Sequence, residues 1–267
     1  MIIRKLINIA RQEQISKHPL RAAGNLARRL QWHLHWMLRP NSPIIQTLPD
    51  GMSIRLGRTS ASYGMFLHRG YCDPELMETL YRYLRPGSVM FDCGAHIGEF
   101  TVAAAAAMGP DCEVHSFEPD PRNFQILQDN VARNGLNRVV LNPCAVGETA
   151  GEARFHLGKD PTASSIGLES QTVEVVSVPV VNLSEYAREH RLQRVDVLKI
   201  DVEGAELSAV KGASELLNNY KPRFIFVECD DHDNEYPVAT LLKSHGYRVE
   251  HRGRSGLHPH LLAYMDS

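Results

Sequence analysis

Val89-Met90-Phe91-Asp92-Cys93-Gly94-Ala95-His96-Ile97-Gly98-Glu99-Phe100 is an apolar run that stops at a carboxylate, passes two glycines and enters an alanine-rich segment. That is the pattern of a strand, a tight turn and a helix N-terminus. In an open α/β sheet, ligands sit beyond the carboxyl ends of the strands, and glycines let the backbone approach them without a Cβ in the way. Working outward, Glu113-Val114-His115-Ser116-Phe117-Glu118-Pro119 reads as the next strand, and Glu118 stands 24 residues after Gly94. An acidic residue some 20 positions past a glycine turn commonly accepts the two hydroxyls of an adenosyl ribose.

The glycine spacing separates two cofactor classes. A pyrophosphate needs a G-x-G-x-x-G turn, in which bare N–H groups meet phosphate oxygens. Here Asp92 precedes Gly94-x-x-x-Gly98 and no third glycine follows. A carboxylate has the wrong sign for phosphate and the right one for the α-amino group of a methionine moiety, so S-adenosyl-L-methionine is expected rather than a nicotinamide dinucleotide.

A third strand, Arg194-Val195-Asp196-Val197-Leu198-Lys199-Ile200-Asp201, leads through Val202-Glu203-Gly204-Ala205-Glu206 into a helix expected to continue through Leu216. With Phe117-Glu118-Pro119-Asp120-Pro121-Arg122-Asn123-Phe124, then Asn130 and Asn134-Gly135, and with the first stretch, it closely resembles the FkbM family of S-adenosylmethionine-dependent O-methyltransferases over residues 45 to 230. The resemblance implies an α/β, Rossmann-like class I methyltransferase fold: a mostly parallel seven-stranded sheet with helices on both faces. It also implies methylation of hydroxyls on sugars, glycolipids or macrolide-type metabolites. His96 stands where the family usually has Asn.

Composition agrees with one α/β core plus a smaller appendage: 267 residues, 43% hydrophobic and 22% charged. Five cysteines without a C-x-x-C pair argue for free thiols in a reducing compartment. No apolar run reaches a membrane span, and charge interrupts Met1-Ile2-Ile3-Arg4-Lys5 too soon for a signal peptide, so a cytoplasmic protein is expected.

The charge is uneven. Residues 1–40 carry eight basic residues against Glu13, a net of +7, leaving −9 on the rest of a chain whose total is −2. Leu20, Ala23, Ala27, Leu30, Leu34 and Met37 recur at helical spacing, Trp32 and Trp36 lie one turn apart, and Pro40 ends the pattern. Such a helix suits peripheral contact with an anionic membrane, at the inner face for a cytoplasmic protein. Packing on the catalytic domain or on a second subunit, as a homo-oligomer, is the reading preferred here, because Gly24 interrupts a modest stripe.

Residues 41–73 read as a short β-rich lead-in, with a hairpin at Pro49-Asp50-Gly51 and extended pieces as far as Arg69. Tyr63, Phe66 and Tyr71 are candidates to line the acceptor pocket. Residues 74–267 form the methyltransferase domain, opening on a helix from Pro74 to Leu84 capped by Asp73.

The cofactor set expected is Asp92, Gly94, Ala95, His96, Gly98, Glu118, Pro119 and Asp201, with Asn142 or Ala145 at the adenine. The hydroxyl-rich Thr162-Ala163-Ser164-Ser165 connection between two further strands suits a polyol acceptor or a solvated loop. In the strand order 3-2-1-4-5 that the resemblance implies, strands ending at Asp92, Asp201 and Glu228 are neighbours and would face a sulfonium. An alcohol is a weak nucleophile, so a base is useful: Asp201 first, then Glu203 or Glu206, then His96 and His232. Glu206 has an alternative role in stabilising a helix start.

Asp201, Glu228 and Asp230 are the carboxylates that would hold a divalent metal if the enzyme used one, and His258-Pro259-His260 reads as a surface turn. Buried Lys199 should pair with a carboxylate or reach an edge. Asp201-Val202-Glu203-Gly204 differs from the Asn/Asp-Pro-Pro-aromatic motif of amine methylation, and the acidic body repels phosphate. RNA-directed methylation through the basic head, and an inactive cofactor-binding interaction module, are the alternatives.

Overall fold

The computed structural model describes residues 19–68, 70–72, 74–161, 164–166, 172–229, 232–252 and 260–265. Seven strands form the central sheet: β3 (Val89–Cys93), β4 (Glu113–Phe117), β5 (Val139–Asn142), β9 (Val197–Ile200), β10 (Phe224–Glu228), β11 (Arg248–Arg252) and β12 (His260–Tyr264). Their order is β5-β4-β3-β9-β10-β12-β11. The first five are parallel, as the near-continuous apolar runs require for strands covered on both faces. The last strand, β12, inserts antiparallel between β10 and β11. The order reverses between β3 and β9, so the crevice opens at the glycine turn after β3.

One face of the sheet is covered by α6 (Leu183–Glu189), α7 (Glu206–Gly212), α8 (Ser214–Asn219) and α9 (His232–Ser244). The expected single helix through Leu216 is broken at Ala213 into α7 and α8. A Cβ on Gly212 would lie 2.1 Å from the Gly147 carbonyl oxygen, so the chain uses a glycine where these backbones touch.

The other face carries α3 (Pro74–Tyr83) and the alanine-rich α4 (Glu99–Met108), whose small side chains lie flat on the strands. Asp73, expected as the cap of α3, lies outside the described residues. Next to this layer, α5 (Pro121–Arg133) starts at Asp120, whose side chain accepts from the Arg122 N–H.

The lead-in is a hairpin, β1 (Ile44–Thr47) with β2 (Ser53–Leu56), followed by a helix, α2 (Ser60–His68). The expectation of extended structure to Arg69 is corrected there. Apolar residues lie all around α2, so it has no stripe to betray it, and its start is marked by Thr59 Oγ1 accepting from the Ser62 N–H.

The asparagines of the second motif hold this hairpin. Asn134 exchanges hydrogen bonds with the Ser53 N–H and carbonyl (2.9 and 2.7 Å), and buried Asn130 accepts from the Arg55 N–H (2.6 Å) while donating to the Ile97 carbonyl (2.7 Å). Two side-chain amides one helical turn apart stand in for a pairing strand along the edge of β2.

Finally, α1 (Pro19–Leu38) lies on α2. Trp32 is buried against Tyr63 and Phe66, with ring centroids 5.4 and 5.3 Å away. Tyr63 and Phe66 therefore pack on α1 and do not line the cavity at the ends of the parallel strands. The packing expected of the helix is present through its tryptophan face, whereas its leucine face is exposed.

Candidate active site

A cavity of about 510 Å³ opens over the carboxyl ends of β4, β3, β9 and β10, within the usual size range of ligand pockets. Its floor at β3 is Gly94 and Ala95, whose N–H groups both donate to the Phe117 carbonyl (2.9 and 3.0 Å). Gly94 has φ +75°, and a Cβ on it would sit 1.7 Å from the Asp201 carbonyl oxygen, so only glycine lets β3 and β9 close at this level. His96 follows at φ 51°, in the left-handed region where Asn and His are both enriched. That accounts for His at a position usually held by Asn.

Glu118 lies at the end of β4, buried, with one oxygen accepting from the His96 N–H (2.7 Å) and the other from the Asp120 N–H (2.9 Å). Burial pushes its pKa up to about 7, against the pull of those N–H groups. Around it, Pro119, Asn123 and Ser164 line the cavity. Ser164 is no solvated loop residue: it donates to Asp120 (2.8 Å) and accepts from Arg122 (3.0 Å). Cys144, Ala145, Val146 and Phe155 form an apolar slot beside these groups. Phe155 comes from β7 (Gly151–Gly158), which with β8 (Thr172–Val181) and β6 (Ala145–Val146) makes a separate three-stranded sheet.

The other end of the cavity is charged. Lys199 is buried on β9, its Nζ donating to the Gly94 carbonyl (2.7 Å) and lying 3.4 Å from Asp92 Oδ1, 3.2 Å from Asp201 Oδ2 and 5.1 Å from the centre of the Phe100 ring. Burial disfavours its ammonium, but Asp201 and Asp92 outweigh that and hold its pKa above the usual lysine value. Asp201 is raised to about 6, chiefly by burial, with Lys199 pulling it down and Glu228 pushing it up.

Glu99, Asp201, Glu203, Glu228 and His260 line this end, with Glu99 fixed by the Cys72 N–H (2.6 Å). His260 Nε2 is 3.6 Å from Glu228 Oε1, so the residue read as part of a surface turn belongs to the cavity. No local pattern signalled this, because β12 reaches β10 only through antiparallel tertiary pairing.

Of the expected residues, Gly94, Ala95, His96, Glu118, Pro119, Ala145, Asp201 and Glu203 meet at the cavity. Four do not. Asp92 is fully buried beneath it, accepting from Thr101 Oγ1 (2.6 Å) and facing Lys199. Gly98 starts α4 at φ 93°, where a Cβ would strike Leu127. Asn142 spends its side chain on the Ser116 carbonyl (3.2 Å) and the Tyr186 hydroxyl (3.2 Å). Glu206 is buried and accepts from the Gly204 N–H (2.7 Å), the helix-start role. Asp230 and His258 lie outside the described residues, as does the side chain of His232. Among the described residues, no group of three His, Cys, Asp or Glu is placed to hold a metal ion.

Two buried polar atoms on the cavity wall, His96 Nε2 and Asn123 Oδ1, have no hydrogen-bond partner within the protein. With the Glu118 carboxyl and the apolar slot they fit an adenosyl group: hydroxyl partners for Glu118, a π-face for Phe155 and polar edges for the orphaned atoms.

Residues 92–249 match the methyltransferase FkbM domain family, more than half of the chain. The chain belongs to the FkbM methyltransferase family. Over 243 residues it is 29% identical to the 31-O-demethyl-FK506 methyltransferase FkbM of Streptomyces tacrolimicus, covering 78% of this chain and 91% of that protein. It is 24% identical over 170 residues to the hexuronic acid methyltransferase AglP of Haloferax volcanii, covering 64% of this chain and 67% of that one. A crystal structure described as a putative rRNA methylase from Clostridium thermocellum shares the fold, with TM-score 0.50 at 10% identity, covering 72% of this chain and 95% of that one. This FkbM-family chain is thus a methyltransferase of Rossmann-like class I fold, with S-adenosylmethionine as its cofactor.

Proposed function

We propose that the chain is an O-methyltransferase whose acceptor is a sugar hydroxyl of a glycan, glycolipid or secondary metabolite. The acidic end of the cavity carries the reading. Carboxylates from β9, β10 and α4, with His260 from β12, offer several acceptors for the hydroxyls of a polyol. The Haloferax relative is named for a sugar derivative, a hexuronic acid, which supports the sugar class of acceptor. A wall of this sign disfavours phosphate, which weighs against an RNA acceptor despite the basic N-terminal segment.

Glu118, His96 and Asn123 would hold the adenosyl part, with the apolar slot at the base. Bound S-adenosylmethionine supplies an activated methyl group on a sulfonium, so the protein's work is alignment and proton removal. Asp201 suits that work. It sits beside the switch point, is oriented by Lys199, and with a pKa of about 6 it is ionised at neutral pH yet more basic than an exposed aspartate. Glu228 and His260 stand next along the wall to orient the acceptor.

Incubating the purified chain with methyl-labelled S-adenosylmethionine and a fractionated cell extract tests the acceptor class. Label is expected in glycans or small hydroxylated metabolites. Label in protein or RNA, with those fractions unlabelled, would refute it.

A further inference from the structure

The faces of α1 are turned the opposite way from a helix that packs by its leucines. Trp32 and Trp36 face the protein, while Leu26, Leu30, Leu34, Met37 and Leu38 are 38, 45, 48, 68 and 72% exposed. At 100° per residue, Leu26, Leu30, Leu34 and Met37 share one narrow stripe. Monomeric soluble proteins rarely leave such a continuous ridge in water.

Beside the ridge, a second cavity of about 230 Å³ is lined by Trp32, His33, Arg58, Thr59 and Tyr63. Residues 19–40 contain Arg21, Arg28, Arg29 and Arg39 and no acidic residue, within a chain of net charge −2; Arg39 is exposed, whereas Arg28 is half-buried and donates to the Leu67 carbonyl. Among the described residues no helix is long and apolar enough to cross a bilayer, so lipid contact would be interfacial.

We propose that this face docks the enzyme on an anionic phospholipid surface, with the leucine ridge among the acyl chains and the Arg58–His33 cavity receiving a headgroup phosphate. Charge decides between the two occupants such a ridge could take. Pairing with α1 of a second copy would bring arginines together with no carboxylate on either helix, whereas anionic lipid complements both the helix and the cavity. The arrangement bears on substrate access as well. α2, whose Tyr63 packs on Trp32, also lines the charged end of the active-site cavity through Ala61 and Gly64. A docked enzyme would therefore hold its acceptor end close to the membrane.

Sedimentation of the full chain with phosphatidylcholine vesicles, with and without phosphatidylglycerol, tests the proposal. Binding only to the anionic vesicles is expected, falling steeply with added salt. The doubly substituted Leu30→Glu, Leu34→Glu variant should lose it, and Arg58→Glu should weaken it about tenfold. Retained S-adenosylhomocysteine binding would show that the variants are folded. Wild-type protein that stays in the supernatant, or a ridge variant that sediments like wild type, would overturn the proposal. So would light scattering that finds a dimer dispersed by the ridge variant, since the face would then belong to a second copy.

Discussion

Glu118 is a carboxyl group held by two backbone N–H groups and denied water, which leaves its pKa near neutrality. Ribose hydroxyls would donate to the ionised form, so cofactor binding should lower that pKa and release a proton near pH 7. Affinity for S-adenosylhomocysteine should accordingly rise with pH through about 7 and level off above it. Calorimetric titrations in buffers of different ionisation enthalpy would read the released proton directly. Glu118→Gln should abolish the release and weaken binding by about 1–3 kcal/mol.

Asp201 makes a prediction of its own. A general base works only when deprotonated, so turnover should rise as pH increases through about 6. Asp201→Asn should flatten that limb and lower kcat by about 10² to 10⁴-fold with little change in S-adenosylhomocysteine affinity. Steady-state rates across pH 5 to 9 (a range of roughly two units either side of neutral) would show both. A preserved acidic limb in the Asn variant would move the base to another group, with His260 beside Glu228 next in place.

At the level of elements, the turn between β3 and α4 depends on two backbones touching. Gly94→Ala has to meet both a left-handed backbone and the Asp201 carbonyl, whereas Gly109, at the nearly equal φ of +74°, faces open space. Gly109→Ala should therefore cost only backbone strain, about 1–3 kcal/mol, because its ψ of −164° lies in a region almost confined to glycine. Gly94→Ala should cost clearly more and loosen cofactor binding, because relieving the overlap parts β3 from β9. Thermal melts of the two variants, with a binding titration, separate strain from close approach.

The elements differ in how openly the sequence declares them. Four of the five parallel strands, β3, β4, β9 and β10, were plain because each is an apolar run closing on a carboxylate, whereas β5 closes on Asn142. α2 was hidden because its apolar residues surround it, and the close approach that requires a glycine at position 212 was hidden because its partner, the Gly147 backbone, lies 65 residues away in sequence.

Across the whole molecule, α1 and α2 act as one unit laid on the methyltransferase domain. Trp32→Ala removes a ring packed against Trp36, Tyr63 and Phe66, and should cost about 3–5 kcal/mol by the usual scale for buried aromatics. Differential scanning calorimetry should show the loss, with S-adenosylhomocysteine affinity nearly unchanged because Glu118 and His96 lie on other elements.

The sequence by itself determined the strand-turn-helix units that carry Gly94 and Glu118, because these depend on short-range patterns: period, glycine turns and the length of a βαβ unit; the strand order and its switch point were implied only by the family resemblance. The sequence also implied that Lys199, if buried, pairs with a carboxylate or reaches an edge. Which carboxylates answer it, that Asp92 lies beneath the cavity and not in it, and that Asn142 is spent on its neighbours, were decided by tertiary structure alone. The same holds for His260, carried to Glu228 by a strand that inserts between two others, and for α1, where the tryptophans turned inward and the leucines outward. Side-chain partners across a sheet are set by register and layer packing, which bring together residues that no local pattern connects.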